Sequence, residues 1–283
     1  MPDSPYTDLS RPPLNQAALR RAVLRPGALW TELRVVPRTA STNADLVASA
    51  RQGAAEGTVL VAEQQVAGRG RLGRRWDAPA RAGLTLSVVL RPGEPVPARG
   101  WPAVPSGRYG WLPLLAGVAL ADTVRRLGEV DAVLKWPNDL LVAGAKCAGI
   151  LAEAVPDGPA PAVVLGIGLN VSQDRDELPR ADATSLAIAG SGCLDRDPLL
   201  RALLRELADR YTDWRASAGD PVASRSRERY AAGSDTLGRR VRVLLPGGGD
   251  LVGDAVDIDA QGRLVVDSGT RTAVAAGDIV HLR

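Results

Sequence analysis

The segment that most constrains the fold is residues 162–171, which reads AVVLGIGLNV and is almost continuously apolar. A short apolar run of this kind is typical of a β-strand that is buried on both faces of its sheet. The chain can supply the surrounding core, because 45% of its residues are hydrophobic. Phenylalanine is absent and aromatic residues make up only 4%, so the core is expected to consist mainly of Leu, Val, Ala and Ile.

Strand and helix patterns alternate on either side of this run. Further strands are expected at residues 30–36, 58–64, 83–90, 132–136 and 146–155. The strand at 83–90 shows some alternation of apolar and polar residues. Residues 91–110 are crowded with Pro and Gly and predict an irregular insertion.

Three helices are expected in the same region. The first covers residues 42–50, where Thr42 and Asp45 have the spacing of a capping box. The second covers residues 113–127. The third is expected to begin with Asp197 as its cap and Pro198 at its first position, and its large apolar residues recur on one stripe.

The two ends of the chain differ from this middle region. Residues 1–28 are rich in Pro and polar residues and predict a tail with a short helix at residues 14–24. Five short β-like runs follow residue 236, separated by glycine-rich turns, at residues 240–245, 251–258, 263–266, 271–274 and 279–282. They indicate a small barrel. The expected division is a tail at 1–28, a large domain at 29–235 and a barrel at 236–283.

Composition excludes several classes of function. Cys147 and Cys193 are the only cysteines and His281 is the only histidine, so neither a zinc site nor a Ser–His triad is expected. The sequence has no long apolar run and no secretory leader, which predicts a cytoplasmic protein without a membrane partner. A net charge of +3 is compatible with anionic ligands but too weak to indicate nucleic acid by itself.

Lysine is used at only two positions, Lys135 and Lys146, although the chain has 35 Lys and Arg residues. Arginine serves wherever an ordinary surface charge is sufficient. A compact ammonium group, by contrast, reaches a phosphate or carboxylate oxygen in a tight site where the wider guanidinium does not fit. We therefore predict that both lysines are functional, rather than two chance survivors on a solvated face.

Residues 68–76 (GRGRLGRRW) form a glycine-rich cationic loop. Glycines let backbone N–H groups approach an anion closely, and arginines bind phosphate or carboxylate in a bidentate manner. The glycine spacing fits neither a P-loop nor a dinucleotide fingerprint. By composition alone, three readings stay open: binding of an anionic ligand, a nucleic-acid-binding arm, and a solvated basic loop.

Two further motifs lie on strands. In residues 135–139 (KWPND), a strand ends at a proline and Asn138 and Asp139 follow in a predicted turn. An amide, a carboxylate and two ammonium groups gathered there would suit magnesium-assisted nucleotide chemistry. In residues 166–171 (GIGLNV), the glycines either admit a flat ligand or relieve crowding in a packed sheet.

Taken together and in order, these motifs resemble those of biotin protein ligases. The motifs are STN (41–43), EQQVAGRGRLGRRW (63–76), KWPND (135–139), KCAGILAE (146–153) and GIGLNV (166–171). The resemblance spans residues 38–190, and GDIVHLR (277–283) is similar to the end of the family's small C-terminal domain. It implies an α+β fold in which a mixed β-sheet is flanked by helices, similar to class II aminoacyl-tRNA synthetases. A small C-terminal SH3-like β-barrel would follow this catalytic domain.

The resemblance also implies a reaction in two steps. The biotin carboxylate attacks the α-phosphate of ATP, with Mg²⁺ present, and gives biotinyl-5′-AMP and pyrophosphate. A lysine of an acceptor protein then attacks the mixed anhydride, giving an amide and AMP. The expected acceptor is the biotin carboxyl carrier domain of an acyl-CoA carboxylase. No covalent intermediate with the enzyme is needed, which agrees with the absence of a nucleophile–histidine pair.

Residue roles are carried over by matching motifs. The implied catalytic residues are Lys146, Arg71, Lys135 and Asp139. The implied biotin-binding residues are Ser41, Thr42, Asn43, Gln64, Arg69, Gly70, Arg71, Lys146 and Gly149. The implied nucleotide-binding residues are Arg69, Arg71, Trp76, Lys135, Asn138, Asn170 and Arg283. No metal ligands are assigned to the protein itself.

The chain departs from some family members, because about forty residues precede Ser41. This is too few for the winged-helix domain with which some members bind DNA. The resemblance therefore implies the monofunctional type, with no nucleic-acid partner, acting as a monomer or weak homodimer. Lipoate ligases, which share the fold but lack the loop in this form, are the nearest chemical alternative. A nucleic-acid-binding protein using the Arg-Gly loop is a second.

Overall fold

The computed structural model describes residues 10–156, 160–245 and 248–282. A seven-stranded mixed sheet has the order β1-β2-β3-β7-β6-β5-β4. Its strands are β1 (Glu32–Val36), β2 (Thr58–Ala62), β3 (Gly83–Leu90), β4 (Ala132–Lys135), β5 (Asp139–Val142), β6 (Ala145–Val155) and β7 (Ala162–Asn170). Only β1 and β2 are parallel; every other neighbouring pair in this sheet is antiparallel. The predicted α+β class with a mixed sheet is confirmed.

β7 lies at the centre of the sheet, between β3 and β6, and all nine of its residues are buried. Its residues face two different layers in alternation, as the pleat of a strand requires. Val164 packs in a small cluster with Leu46 of helix α2 (Thr42–Arg51). Val163 and Leu165 belong to the large core, which includes helices α3 (Trp111–Gly128) and α4 (Arg196–Ala216). The apolar run is therefore covered on both faces.

Several local predictions were wrong in detail. β3 is buried at all eight positions instead of alternating, because it too lies inside the sheet. Helix α2 is capped by Ser41, whose side chain accepts from the Ala44 N–H, so Thr42 is the first helical residue and not the cap. Helix α4 is capped by Asp195, two residues before the predicted Asp197, and its predicted apolar stripe is buried. A further helix, α5 (Ser226–Gly233), was not predicted.

β5 was missed, because Asn138 and Asp139 were assigned to a turn before the next strand. Asp139 is instead the first residue of β5. Asn138 does lie in a turn, at residues 136–138 between β4 and β5. A second turn follows β5 at Ala143 and Gly144, whose φ angles are +50° and +77°. Two consecutive residues with positive φ form the tight connection typical of a hairpin, and only Gly144 signals it in the sequence. Asp139 therefore lies within the ladder, opposite Lys135 on one side and Gly149 on the other.

The N-terminal segment and the insertion both pack on the large domain. Helix α1 (Gln16–Val23) buries Leu19 completely. Within residues 91–110, the centroid of the Trp101 ring lies 4.8 Å from Arg99 Cζ and 5.1 Å from Arg215 Cζ. Arg215 is fully buried and donates to the Arg91 carbonyl at 2.8 Å. The insertion is thus tied to α4. The division of the chain at residues 28 and 235 stays a prediction.

The C-terminal residues form a five-stranded antiparallel sheet of order β11-β10-β9-β8-β12, consistent with the predicted SH3-like barrel. The strands are β8 (Arg240–Leu244), β9 (Asp250–Ile258), β10 (Leu264–Asp267), β11 (Arg271–Val274) and β12 (Asp278–His281). Two buried tryptophans attach it to the large domain. Trp111 Nε1 donates to the Asp259 and Ala260 carbonyls, both at 3.2 Å, and Trp136 Nε1 donates to the Gly262 carbonyl at 3.3 Å.

None of the helices in the described ranges has the length and apolar character needed to cross a membrane.

Candidate active site

A cavity of about 920 Å³ lies between the sheet, the start of α2, the 68–76 loop and the barrel. Most of the residues assigned by motif line it: Ser41, Thr42, Asn43, Arg69, Gly70, Arg71, Trp76, Lys135, Asn138, Asp139, Lys146, Gly149 and Asn170. The fold thus brings together motifs that are more than a hundred residues apart in the sequence. Arg283 lies outside the described residues.

The start of α2 forms one wall, and here the sequence assignment of Gln64 does not agree with the structure. Gln65, and not Gln64, lines the cavity. The Gln65 Oε1 atom accepts from the Thr42 N–H at 2.8 Å and from the Thr42 hydroxyl at 3.0 Å. Side chains alternate along extended backbone, so the neighbouring Gln64 faces the opposite way. A biotin-binding role for either residue stays a prediction.

Asn43 joins α2 to the floor of the cavity. Its Nδ2 atom donates to Glu153 Oε2 at 2.7 Å and to the Leu151 carbonyl at 3.3 Å. The buried Ser87 hydroxyl on β3 lies within hydrogen-bond distance of both Asn43 Oδ1 and Thr42 Oγ1. A Cβ atom added at Gly166 would lie 2.1 Å from Asn43 Oδ1. This glycine is therefore needed for the close approach of α2 to β7.

Lys146 lies at the centre of the polar part of the cavity. Its Nζ atom is 2.6 Å from Asp139 Oδ1, and both side chains are mostly buried. A Cβ atom added at Gly149 would lie 3.5 Å from Lys146 Nζ. The strand β6 therefore supplies both the lysine and the space beside it. The ammonium group is held in place by one carboxylate, and among the described residues nothing else engages its other two donors.

Lys135 and Asn138 lie close to this pair. Lys135 is the register partner of Asp139 in the β4–β5 ladder. Within the described residues, no hydrogen bond or ion pair engages the Lys135 side chain, so its charge is available to an anion. Asn138 Nδ2 donates to the Ile150 carbonyl at 3.0 Å, and its Oδ1 atom accepts from Arg71 at 3.2 Å.

The 68–76 loop folds over the cavity and contacts both domains. Arg71 reaches Asn138, and Arg74 forms an ion pair with Asp278 of β12. Burial lowers the pKa of the Arg71 guanidinium, while the carboxylates of Asp278 and Asp139 act in the opposite direction. A guanidinium withdrawn from water in this way interacts more strongly with an anionic ligand than a solvated one would.

Trp76 ends the loop and lies on the floor of the cavity. A Cβ atom added at Gly168 would lie 2.4 Å from Trp76 Cε2, and one added at Gly149 would lie 3.3 Å from Trp76 Cζ3. The indole ring thus rests directly on the backbone of β7 and β6. The two glycines create a flat platform, and the group that lies on it in this structure is the Trp76 ring. That GIGLNV admits a flat ligand stays a prediction.

Asn170 lies at the end of β7, next to this platform, and is 6% exposed. Its Nδ2 atom donates to the Thr184 carbonyl at 2.9 Å, and its Oδ1 atom accepts from Gln173 Nε2 at 3.1 Å. The amide of Asn170 is therefore held at both ends by the protein while it borders the cavity.

Comparison with known proteins agrees with this geometry. Residues 35–170 match the biotin/lipoate A/B protein ligase family, and residues 236–282 match the biotin protein ligase C-terminal domain. The biotin–[acetyl-CoA-carboxylase] ligase of Mycobacterium tuberculosis is 50% identical over 281 residues, which cover 98% of each chain. The chain belongs to the biotin protein ligase family. The model matched by residues 35–170 includes both biotin and lipoate ligases. The match to the biotin protein ligase C-terminal domain therefore adds evidence for the biotin ligases in particular.

Two other members of the family also match most of this chain. The bifunctional ligase/repressor BirA of Escherichia coli is 32% identical over 213 residues, which cover 75% of this chain and 62% of the E. coli protein. A biotin protein ligase from Aquifex aeolicus, solved in complex with biotin and ATP, superposes with a TM-score of 0.69 at 25% identity. That superposition covers 90% of this chain and all of the Aquifex chain.

The structure adds residues that sequence reasoning missed in this member of the family. These are Gln65, Arg180, Asp182, Asp235, Arg239, Asp278 and His281, which also line the cavity. His281 is held by Thr236 and Asp235, and burial, followed by the nearby Lys135, lowers the pKa of its imidazole. Of these seven residues, only His281 stands out in the sequence, because it is the single histidine. The acidic and basic residues around it resemble ordinary surface residues in the sequence.

Cys147, next to Lys146, is not a nucleophile in this site. It is completely buried, and burial raises the pKa of its thiol to about 12. The described part of the chain also holds no group of three or more His, Cys, Asp or Glu side chains arranged for a metal ion.

Proposed function

We propose that this protein activates biotin with ATP and transfers it to a lysine of a biotin carboxyl carrier domain. The observation that carries the proposal is the position of Lys146. Its ammonium group and the Trp76 ring both lie over Gly149, and Asn43 of α2 bonds to Leu151, two residues further along the same strand. Two residues of a strand span roughly 7 Å, so the α2 wall, the lysine and the flat platform lie within the length of one adenylated ligand.

Biotin occupies the α2 side in this proposal. The head of biotin lies at the start of α2, and its carboxylate, at the other end of the molecule, reaches Lys146. Thr42 and Gln65 provide the hydrogen-bonding groups for the head of the ligand. The nucleotide lies beyond the platform of Gly149 and Gly168, with its adenine stacked on the Trp76 ring that rests there and with Asn170 at its edge.

The first step joins the biotin carboxylate to the α-phosphorus of ATP and releases pyrophosphate. Negative charge accumulates on the phosphate oxygens as the new bond forms. Lys146, Arg71 and Lys135 are placed to neutralise it, and Asp139 keeps the Lys146 ammonium group in position. Fixed charges in a site withdrawn from water stabilise such a transition state more than mobile ones.

The second step requires only alignment of two reactants. The acceptor lysine attacks the carbonyl carbon of the mixed anhydride, and AMP leaves with the oxygen that joined it to biotin. Holding the two reactants in place supplies much of the rate enhancement. No nucleophile of the enzyme is required, in agreement with the burial of Cys147.

Magnesium enters this proposal with the nucleotide. Mg²⁺ keeps several of its waters and binds through substrate phosphates and one or two carboxylates rather than in an all-protein cage. The residues fit that mode, because Asp139 and Asp278 line the cavity without forming a cluster of three acidic groups. When bound, the ion would neutralise phosphate charge.

We also propose that the protein works in the cytoplasm, as a monomer or a weak homodimer. Light scattering during size-exclusion chromatography, with and without biotin plus ATP, tests the oligomeric state. A stable tetramer would contradict it.

The proposed function is tested by transfer to an acceptor. Purified protein is incubated with ATP, Mg²⁺, biotin and a biotin carboxyl carrier domain, and the mass of the domain is measured. We expect an increase equal to one biotinyl group, absent when the acceptor lysine is replaced by arginine. A mass increase with lipoate on a lipoyl domain, and none with biotin, would instead favour the lipoate alternative.

The assignment of Gln65 gives a further prediction. Replacing Gln65 with alanine removes its two hydrogen bonds to Thr42 and the amide that the proposal directs at the biotin head. Loss of one hydrogen bond to the ligand, worth about 1 kcal/mol, should weaken biotin binding about five- to tenfold. Gln64→Ala is the matched control and should bind biotin as the unaltered protein does. Isothermal titration calorimetry without nucleotide measures both. Loss of affinity in Gln64→Ala alone would contradict our placement of these two side chains.

A further inference from the structure

The amide of Asn170 has hydrogen-bonding capacity left over on its cavity side. An amide nitrogen carries two hydrogens and an amide oxygen has two lone pairs. Thr184 uses one hydrogen and Gln173 uses one lone pair. One donor and one acceptor therefore remain on the same planar group. This is the pair with which asparagine binds the amino group and a ring nitrogen of adenine.

The direction of the amide is determined by its neighbours. The Thr184 carbonyl can only accept a hydrogen bond, so the Asn170 nitrogen must face it. Gln173 donates its Nε2 hydrogen to Asn170 Oδ1 and thereby holds the oxygen end of the amide, which the Thr184 carbonyl does not contact. A flipped Asn170 would place its oxygen against the Thr184 carbonyl oxygen and its nitrogen against the Gln173 nitrogen. Both contacts would be repulsive.

Gln173 lies outside the cavity wall and is closely packed by its neighbours. It is 1% exposed, and its backbone carbonyl accepts from the Ser185 hydroxyl at 2.6 Å. Gly83 on β3 leaves room for it, since an added Cβ atom there would lie 3.2 Å from Gln173 Nε2. Its Oε1 atom has no hydrogen-bond partner in the described part of the chain. An unsatisfied buried amide oxygen costs stability, so packing alone would favour an apolar residue at this position.

We propose that Gln173 is a positioning residue that holds the Asn170 amide in the orientation that selects adenine over other purines. The proposal rests on the proposed function, in which Asn170 faces the base of ATP. Inosine triphosphate differs from ATP at the base edge that the amide would read. It carries an oxygen where adenine has an amino group, so Asn170 Oδ1 would face an acceptor instead of a donor. An amide fixed in one orientation therefore matches adenine and opposes hypoxanthine.

The same segment connects this selection to catalysis. The Thr184 N–H donates to the Lys146 carbonyl at 2.8 Å, while the Thr184 carbonyl accepts from Asn170. A single residue thus joins the base-reading amide to the strand that carries the lysine. Correct orientation of Asn170 keeps the nucleotide aligned with Lys146.

The test compares nucleotide selectivity in the full-length protein. Gln173→Met keeps the length of the side chain but removes the donor. The ratio of kcat/KM for ATP to that for inosine triphosphate, measured by biotin-dependent pyrophosphate release, is expected to fall about tenfold. The affinity for biotin without nucleotide should stay unchanged. Should this variant fail to fold, Gln173→Glu, whose carboxylate cannot donate, supplies the same comparison.

Two further variants separate positioning from stability. Thr123→Val removes another buried side-chain hydrogen bond, far from the cavity on α3, and should leave the selectivity ratio unchanged. In an Asn170→Ala background, Gln173→Met should cause no additional loss of selectivity, because residues that act through one another are not additive. An unchanged ratio in Gln173→Met, or an equal loss for both nucleotides, would overturn the proposal. If the unaltered protein shows no biotin-dependent pyrophosphate release, the proposed function fails first.

Discussion

Replacing Lys146 with arginine is expected to lower kcat/KM for biotin activation by about 100- to 1,000-fold, although the charge is preserved. Loss of one preorganised donor at developing charge costs this much in other enzymes. The Nζ atom is 2.6 Å from Asp139 Oδ1, and Gly149 lies directly beside it, since a Cβ atom added there would lie 3.5 Å from Nζ. A planar guanidinium is wider than an ammonium group and cannot occupy the same position.

The matched control is Arg210→Lys, a swap of the same two residue types at an ion pair with Asp122 and Glu206, away from the cavity. Its activity should stay within twofold of the unaltered protein. Thermal unfolding of both variants shows whether either loses stability. Near-normal turnover by Lys146→Arg would remove the reason for treating the two lysines as functional, and the mechanism would need a different cation.

Replacing Gly168 with alanine is expected to reduce kcat/KM for ATP by about 10- to 100-fold, with little change in biotin affinity. The added methyl group would lie 2.4 Å from the Trp76 ring and must displace it from the platform. Stacking of a base on an aromatic ring contributes about 1–3 kcal/mol, which corresponds to this loss. Trp76 belongs to a loop, so the ring can move away without unfolding the sheet.

Gly192→Ala serves as the control for this prediction. The nearest atom to a Cβ added there is Glu129 Oε2 at 3.8 Å, an ordinary contact, and its φ angle lies outside the positive range. Steady-state kinetics with varied ATP, together with calorimetric titration of biotin, separates the two substrates. Equal losses of ATP and biotin recognition in Gly168→Ala would show that the sheet was damaged and would contradict the role given to the platform.

Much of the fold was predictable from local patterns. The apolar run of β7 requires cover on both faces, and α2 on one side and α3 with α4 on the other supply it. The five short strands of the barrel were predicted to within a residue or two, because glycine-rich turns separate them. The predictions failed where the signal was a single residue. β5 was missed because its hairpin has Ala143 where glycine would have marked the turn.

The candidate site was only partly predictable for a different reason. Motifs gave the residues that meet at the cavity, but they could not give side-chain direction. Gln64 was chosen where Gln65 faces the cavity, because adjacent positions on extended backbone are equivalent in sequence and opposite in space. Gln173 had no motif at all. Its contact with Asn170 depends on how the chain after β7 folds back, which no local pattern encodes.

The most direct test of the account is biotin-dependent exchange of labelled pyrophosphate into ATP, with Mg²⁺ present and lipoate as the comparison acid. The exchange isolates the first half-reaction and needs no acceptor protein. We expect exchange that requires biotin, is absent with lipoate, and falls in Lys146→Arg in parallel with overall activity. Folded protein that shows no exchange with biotin would contradict the proposed adenylation and the role assigned to every residue of the cavity.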